Sequence, residues 1–396
     1  MIIGEFIACS TCKKNYRARI QVGLKNVQEL NFFCHQCNEP IRLTLDLSKG
    51  VILGENCEPG PELNATPHYL SDDIIASGHE VNAENSFPSM RFMKGVIDKI
   101  GMERIRKAGV VPDRFDLDAA RAPDKKWQEF KKIWRLKRSG QDEIWKPLLQ
   151  KFAAKYKCDL DFDSALFSFL GSMRKIDERL VSELETTKKS HREDFDLLLD
   201  YYHQNHKDSH TRSYYNLIGE YFDLFHEFSK TYLYAKFQTA IPDDATIAAG
   251  NFSTVKKFYA SAYEFYSSAI FILTCLNNIQ LGRQFDKLGQ IDLKKYLNMD
   301  KAKRRDNFID NLNLTAVTSE FDNGIRNASF HNWMRLSEDN LRVEYNAGGN
   351  GDLVSMSYAE YLYKCSTLFL QCCELFQLEL IMTEIYRNSR ITNQIA

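Results

Sequence analysis

Thr254 to Gln280 reads TVKKFYASAYEFYSSAIFILTCLNNIQ, and its apolar positions recur at α-helical spacing through more than five turns. Working outward, Ala165 to Thr186, Tyr214 to Phe237, Lys301 to Arg326 and Tyr358 to Tyr386 carry the same period. Pro242 and Gly250-Asn251-Phe252-Ser253 break the second of these from Thr254, where Ser253 or Thr254 can cap the helix. The expected fold class is therefore mainly α, with a C-terminal helical bundle. One interruption is expected: Leu341 to Tyr345 alternates, Asn346 to Gly351 is turn chemistry and Leu353 to Met356 can return, which reads as a β-hairpin inserted before the last helix. Composition agrees, because 19 Gly and 9 Pro in 396 residues are few for a loop-rich or all-β chain. With 44% hydrophobic and 12% aromatic residues, two or three domains with sizeable cores are expected. The longest nearly apolar run, Ser268 to Leu276, falls far short of the roughly 18 to 20 residues that span a bilayer, so no membrane partner is expected.

The first fifty residues differ. Tyr16 to Val22 and Ile41 to Leu45 alternate with period 2 and read as strands. Beside them lie Cys9-Ser10-Thr11-Cys12 and Cys34-His35-Gln36-Cys37, twenty-one residues apart, with a hairpin expected between them. Four thiolates at this spacing can close a tetrahedral shell around Zn²⁺, one ion per chain, and the pattern resembles a zinc ribbon. A closed shell of Cys9, Cys12, Cys34 and Cys37 leaves no position for water, so the ion is expected to be structural, with His35 outside the ligand set. CxxC pairs used this way, and a start at Met1 without a basic, apolar leader, point to a reducing compartment, the cytoplasm. Lys13, Lys14, Arg17, Arg19 and Lys25 make the ribbon basic, which suits either nucleic acid or protein contact.

Residues 51–88, with Pro59, Pro61, Pro67 and Pro88, read as a linker. Residues 89–157 form a basic helical middle region, with fifteen Lys and Arg against seven Asp and Glu between Met90 and Arg138. The whole chain has a formal charge of only -1, so any polyanion surface must be local. Trp127, Phe130 and Trp134, at i, i+3 and i+7, read first as a core-facing stripe among solvated charges. A positive surface for a phosphate backbone is the second reading.

Other constellations carry less. His203, His206 and His210 share a helical face, but in a polar segment where solvated histidines suffice. Asp159, Asp161 and Asp163 lack the glycine and glutamate of a calcium loop and suit a helix N-terminus. Cys372 and Cys373 read as core. No phosphate-binding glycine motif and no serine elbow appears, so nucleotide-dependent and acyl-transfer enzymes lack their usual handle.

The remaining motif is Ile325-Arg326-Asn327-Ala328-Ser329-Phe330-His331, expected near the end of the fourth long helix. An Arg followed by a polar residue, with four residues between Arg and His, in a helical bundle with a long helix after it, resembles the HEPN family of ribonucleases. The resemblance covers residues 158–396. It implies a metal-independent endoribonuclease with Arg326, Asn327 and His331 at the catalytic site, an RNA substrate, and a homodimer through the C-terminal bundle that brings two motifs together. It further implies a toxin or phage-defence effector. A subgroup silenced by nucleotide transfer carries Tyr where this chain has Trp333, so that regulation is not implied. The chemistry fits the residue types, since His titrates near neutrality and the planar guanidinium suits phosphorane oxygens. The rival expectation is a non-catalytic RNA- or protein-binding scaffold made of the ribbon and an inactive bundle.

Overall fold

The computed structural model describes residues 2–22, 27–70, 123–241, 247, 249–331, 333–338, 340–346 and 351–395. The later part of the expected linker, 71–88, and most of the basic middle region, 89–122, lie outside the described residues. The described chain is mostly helical, with a small N-terminal β region and a C-terminal helical part. It divides into two units: Met1–Phe115, Leu224–Lys256 and Asn327–Ser366 make the first, and Asp116–Asp223, Lys257–Arg326 and Thr367–Ala396 the second.

The first unit opens with seven strands: β1 Ile2–Cys9, β2 Asn15–Gln21, β3 Val27–Phe33, β4 Pro40–Asp46, β5 Gly50–Leu53, β6 Cys57–Pro59 and β7 Thr66–Leu70. One sheet has the order β6-β1-β2-β7 and a second the order β3-β4-β5. Period-2 alternation buries Tyr16, Ala18 and Ile20 of β2 and Ile41, Leu43 and Leu45 of β4 in one core with Ile7 and Phe32. Two expectations are corrected here. No hairpin joins the two CxxC pairs: β2 pairs with β1 and β7 while β3 pairs with β4, so each pair lies at the turn of its own hairpin. The module also does not end at residue 50, since β6 and β7 fall in the stretch read as linker. Pro59 and Pro67 sit on the two edge strands of their sheet, where a missing N–H is tolerated, and their presence therefore does not exclude strand.

The same unit holds the helix Phe225–Lys236 and a three-stranded antiparallel sheet of Met334–Leu336, Arg342–Asn346 and Leu353–Ser357. The expected hairpin is its last two strands, with Val343 opposite Met356 and Tyr345 opposite Val354.

In the second unit, aromatic stacks fasten helix to helix. The helix Pro123–Arg138 buries Trp127, Phe130 and Trp134, so the stripe faces the core. Trp127 stacks on Phe169 and Phe222, and Trp134 on Phe376. Phe376 and Phe369 of the final helix Tyr358–Ile395 also stack on Tyr214 at 4.0 Å and on Tyr221 at 3.7 Å. That helix is the one among the described residues long and apolar enough to cross a bilayer, and 89% of its apolar window is buried inside the protein.

Several expected helices are divided. Phe162–Met173 and Glu178–Ser190 are separated by Arg174–Asp177, where Gln377 accepts from the Ile176 N–H and donates to the Arg174 carbonyl. Leu224 and Ile270 interrupt the next two. The expected helix Lys301 to Arg326 is the largest correction. Its residues form a 3₁₀ helix Lys301–Phe308, a turn of α-helix Leu312–Thr315, a 3₁₀ turn Ala316–Thr318 and the start of an eight-residue helix Asn323–Phe330. The stretch is rich in Asp and Asn whose side chains compete for backbone N–H groups: Asp300 accepts from Ala302, Asn311 from Asn313 and Leu314, and Asp322 from Ile325.

Candidate functional site

The cysteine site is built by two turns that repeat each other. In the first, the Lys13 N–H donates to the Cys9 carbonyl at 2.8 Å and the Cys9 N–H to the Lys14 carbonyl at 3.0 Å. In the second, Asn38 donates to Cys34 at 2.8 Å and Cys34 to Glu39 at 2.9 Å. Lys13 and Asn38, each directly after the second cysteine of its pair, both take left-handed φ, 62° and 58°. Lysine gains nothing from that conformation, so its adoption in register with Asn38 indicates that the turn itself is required.

The four sulfurs lie within 4.8 Å of one another, with Cys9 and Cys37 3.6 Å apart and Cys12 and Cys34 3.4 Å apart. A tetrahedron with Zn–S bonds of about 2.3 Å has sulfurs roughly 3.8 Å apart, so the arrangement fits one metal ion. All four cysteines are free thiols, and they are the one metal-suited cluster among the described residues. Burial opposes ionisation of Cys34, yet hydrogen bonds from Tyr16 and from the Cys37 and Gln36 backbone pull its thiol down to about 6. The surroundings thus favour a thiolate at Cys34, while the thiols of Cys12 and Cys37 in the same cluster are shifted up.

Sequence reasoning missed two residues that hold this site. The Tyr16 hydroxyl lies 3.2 Å from Cys34 Sγ and accepts from the His35 N–H at 2.8 Å. Asn56, from the expected linker, accepts from the Thr11 N–H at 3.0 Å and from the Thr11 hydroxyl at 2.8 Å, and donates to Cys9 Sγ at 3.4 Å. Neither residue belongs to a CxxC pattern. The signal for Tyr16 is a polar aromatic on the buried face of a strand four residues after Cys12, while Asn56 has no signal short of the fold.

The Arg-x4-His motif lies on the helix Asn323–Phe330 and just beyond it, and the boundary between the two units falls inside this helix. Ile325, Ala328 and Ser329 are buried, whereas Arg326 and Asn327 are half-buried and Phe330 and His331 exposed. Helical hydrogen bonding continues past Phe330, the His331 N–H donating to the Asn327 carbonyl at 2.9 Å. On an ideal helix, positions five residues apart such as those of Arg326 and His331 differ by about 140° around the axis. The His331 ring stacks on that of Trp333, centroids 4.8 Å apart. Arg326 Nε donates to Glu264 Oε1 at 2.6 Å, and Nη2 pairs with the same oxygen. Lys301 Nζ donates to Glu264 Oε2 at 2.5 Å. Burial alone raises a carboxyl, but Lys301 and Arg326 hold Glu264 below its ordinary range.

The weaker constellations resolve as packing. Asp161 caps the helix Phe162–Met173 by accepting from the Ser164 N–H, the helix-terminal role expected for the acidic run. Cys372 and Cys373 are buried, as expected. The three histidines are packed and not freely solvated, His210 buried and His203 and His206 half-buried, which corrects that expectation. His203 stacks on Tyr386. His206 packs on Phe271, and burial, then His210, presses its pKa down to about 4. His210 is buried with Nδ1 3.0 Å from Glu379 Oε1, and Tyr214 and Tyr202 donate to the same carboxylate at 3.0 and 2.7 Å. Comparison with protein-family models, curated proteins and solved structures yields no match.

Proposed function

We propose that this chain is a metal-independent endoribonuclease of the HEPN type, cytoplasmic and active as a homodimer, carrying one structural Zn²⁺ on Cys9, Cys12, Cys34 and Cys37. The observation that carries the reading is the Arg326-Asn327 pair followed at the helix end by exposed His331. In the reaction His331 takes the proton of the ribose 2'-hydroxyl, whose oxygen attacks the adjacent phosphorus. The P–O5' bond breaks, and a proton returns to the leaving oxygen. Arg326 neutralises the non-bridging oxygens as charge builds on them. Asn327 orients its neighbours or the phosphate by hydrogen bonds. Because positions five residues apart on an ideal helix do not converge, a second copy supplies the complementary group. A chain of this kind fits a toxin or phage-defence effector. The repeated knuckle geometry and the thiolate-favouring surroundings of Cys34 support the zinc assignment, and a closed four-sulfur shell has a folding role.

The test is cleavage of RNA by purified protein in EDTA, with zinc content followed alongside. Products ending in 2',3'-cyclic phosphate, no cutting of DNA, and a loss of about 10² to 10⁴ in rate for His331→Ala are expected. Products with 5'-phosphate and 3'-hydroxyl ends would mean another mechanism. The ion pair between Arg326 and Glu264 favours one rival, a non-catalytic RNA- or protein-binding scaffold in which Arg326 is structural. Absence of any His331-dependent cleavage, with folding intact, would select it.

A further inference from the structure

Glu264 lies on the helix Phe252–Ala269 with its carboxylate divided between two cations, Oε1 facing Arg326 and Oε2 facing Lys301. All three side chains are about one-quarter to one-third exposed, so solvent and ligand reach them. Two further carboxylates lie at the ends of these elements, Asp300 accepting from the Ala302 N–H and Asp322 from the Ile325 N–H, each capping the helix that presents a cation. Next to Glu264, the Tyr263 hydroxyl is buried without a hydrogen-bond partner, and Arg326, Asp322, Asp300 and Glu264 are the charges around it.

Two cations directed at the two oxygens of one carboxylate form the arrangement that receives the two non-bridging oxygens of a phosphodiester. Here the Arg326 fork addresses one oxygen with two N–H groups and Lys301 the other as a point charge. We infer that Arg326 and Lys301 form a phosphodiester seat for single-stranded RNA, that Glu264 fills this seat in the free protein, and that RNA must displace Glu264 to enter. The inference rests on the ribonuclease reading. It adds Lys301 as an RNA-binding residue and Glu264 as the competitor that keeps the seat closed to weakly bound anions.

The test uses the full chain and a single-stranded 2'-O-methyl oligonucleotide, which lacks the nucleophile and so reports binding alone. Lys301→Gln should weaken binding by roughly three- to tenfold and lower the slope of log affinity against log salt by about 0.7, the contribution of one phosphate contact on a single strand. Glu264→Gln should act in the opposite direction, binding roughly tenfold tighter, because the seat then holds no competing charge. An ion-pair triad with only a structural role predicts the same sign for both variants and an unchanged salt slope. A Glu264→Gln protein that melts like wild type yet binds no tighter, or a wild-type protein that does not bind the probe, overturns the seat. Should Glu264→Gln fold poorly, the Lys301→Gln salt slope decides by itself. Tight, Lys301-dependent binding without RNA cleavage would leave the seat standing and remove the ribonuclease reading. His331-dependent cleavage with an unchanged Lys301→Gln slope would do the reverse.

Discussion

In the β module the four sulfurs arrive on two turns whose backbones repeat each other, each closed by hydrogen bonds within six residues of chain. In the second unit Arg326 finds Glu264 across sixty-two residues, on a helix whose own pattern announces only a core. The module concentrates its stability in one small cluster, with a core of a few aliphatics, Tyr16 and Phe32 around the sulfurs. The helical unit spreads its packing over many aromatic contacts. The difference teaches where a single substitution is decisive: with a metal ion on the four sulfurs, a lost thiolate removes a whole binding energy, whereas a lost ring removes one stack among several.

The largest expected effect follows from this contrast. On the zinc reading proposed above, Cys34→Ser leaves three ligands and should cost the module most of a structural zinc's contribution, on the order of 10 kcal/mol. Metal analysis should fall from one zinc per chain to near zero and proteolysis should open residues 2–70, while the helical circular dichroism persists. Full zinc content in Cys34→Ser would break the comparison, because the module would then stand without its closed shell.

The reverse substitution sharpens it. Trp134, fully enclosed and stacked on Phe376, should lose about 3–5 kcal/mol on replacement by Ala. The thermal midpoint of the helical signal is expected to drop while zinc content stays at one per chain. Zinc lost in step with the helices would tie the two regions into one cooperative block.

How much of this was legible in sequence follows the same divide. Period-2 alternation and CxxC spacing are short-range, so the strands at Tyr16 to Val22 and Ile41 to Leu45 and the four ligands could be read directly. Strand partners could not, because nothing in β2 says that it pairs with β1 and β7 and leaves β3 to β4. Edge prolines hid β6 and β7, and with them Asn56. Helical period was legible wherever an apolar face is buried, but the interruptions at Leu224 and Ile270 fall on ordinary helix-compatible residues and depend on packing. The Asp- and Asn-rich stretch after Asp300 did carry a signal, competition for the backbone, that the apolar period outweighed. Arg326 and His331 were visible as a local pattern, whereas Glu264 and Lys301 beside Arg326 were not, since no rule of spacing links them.

The smallest effect concerns the histidines taken for solvated. His206 has its ring 4.5 Å from that of Phe271 and its Nε2 3.3 Å from the Tyr201 hydroxyl, with His210 and Glu379 as the nearby charges. Its folded pKa of about 4 lies below the ordinary value of 6.5. Between these values the unfolded chain binds a proton that the folded chain refuses, so the stability this residue supplies is complete above pH 6.5 and drains away as pH falls toward 4. His206→Gln removes that proton linkage and leaves every other acid-sensitive group in place. Between pH 7 and pH 4.5 the wild-type midpoint, read by helical circular dichroism, should fall further than that of His206→Gln, by about 2 °C for a half-exposed ring in a unit of this size. Parallel curves for the two proteins would mean that the ring is as open to water as its polar sequence neighbours suggest. The helical unit would then carry no buried histidine at this position to set it apart from the module.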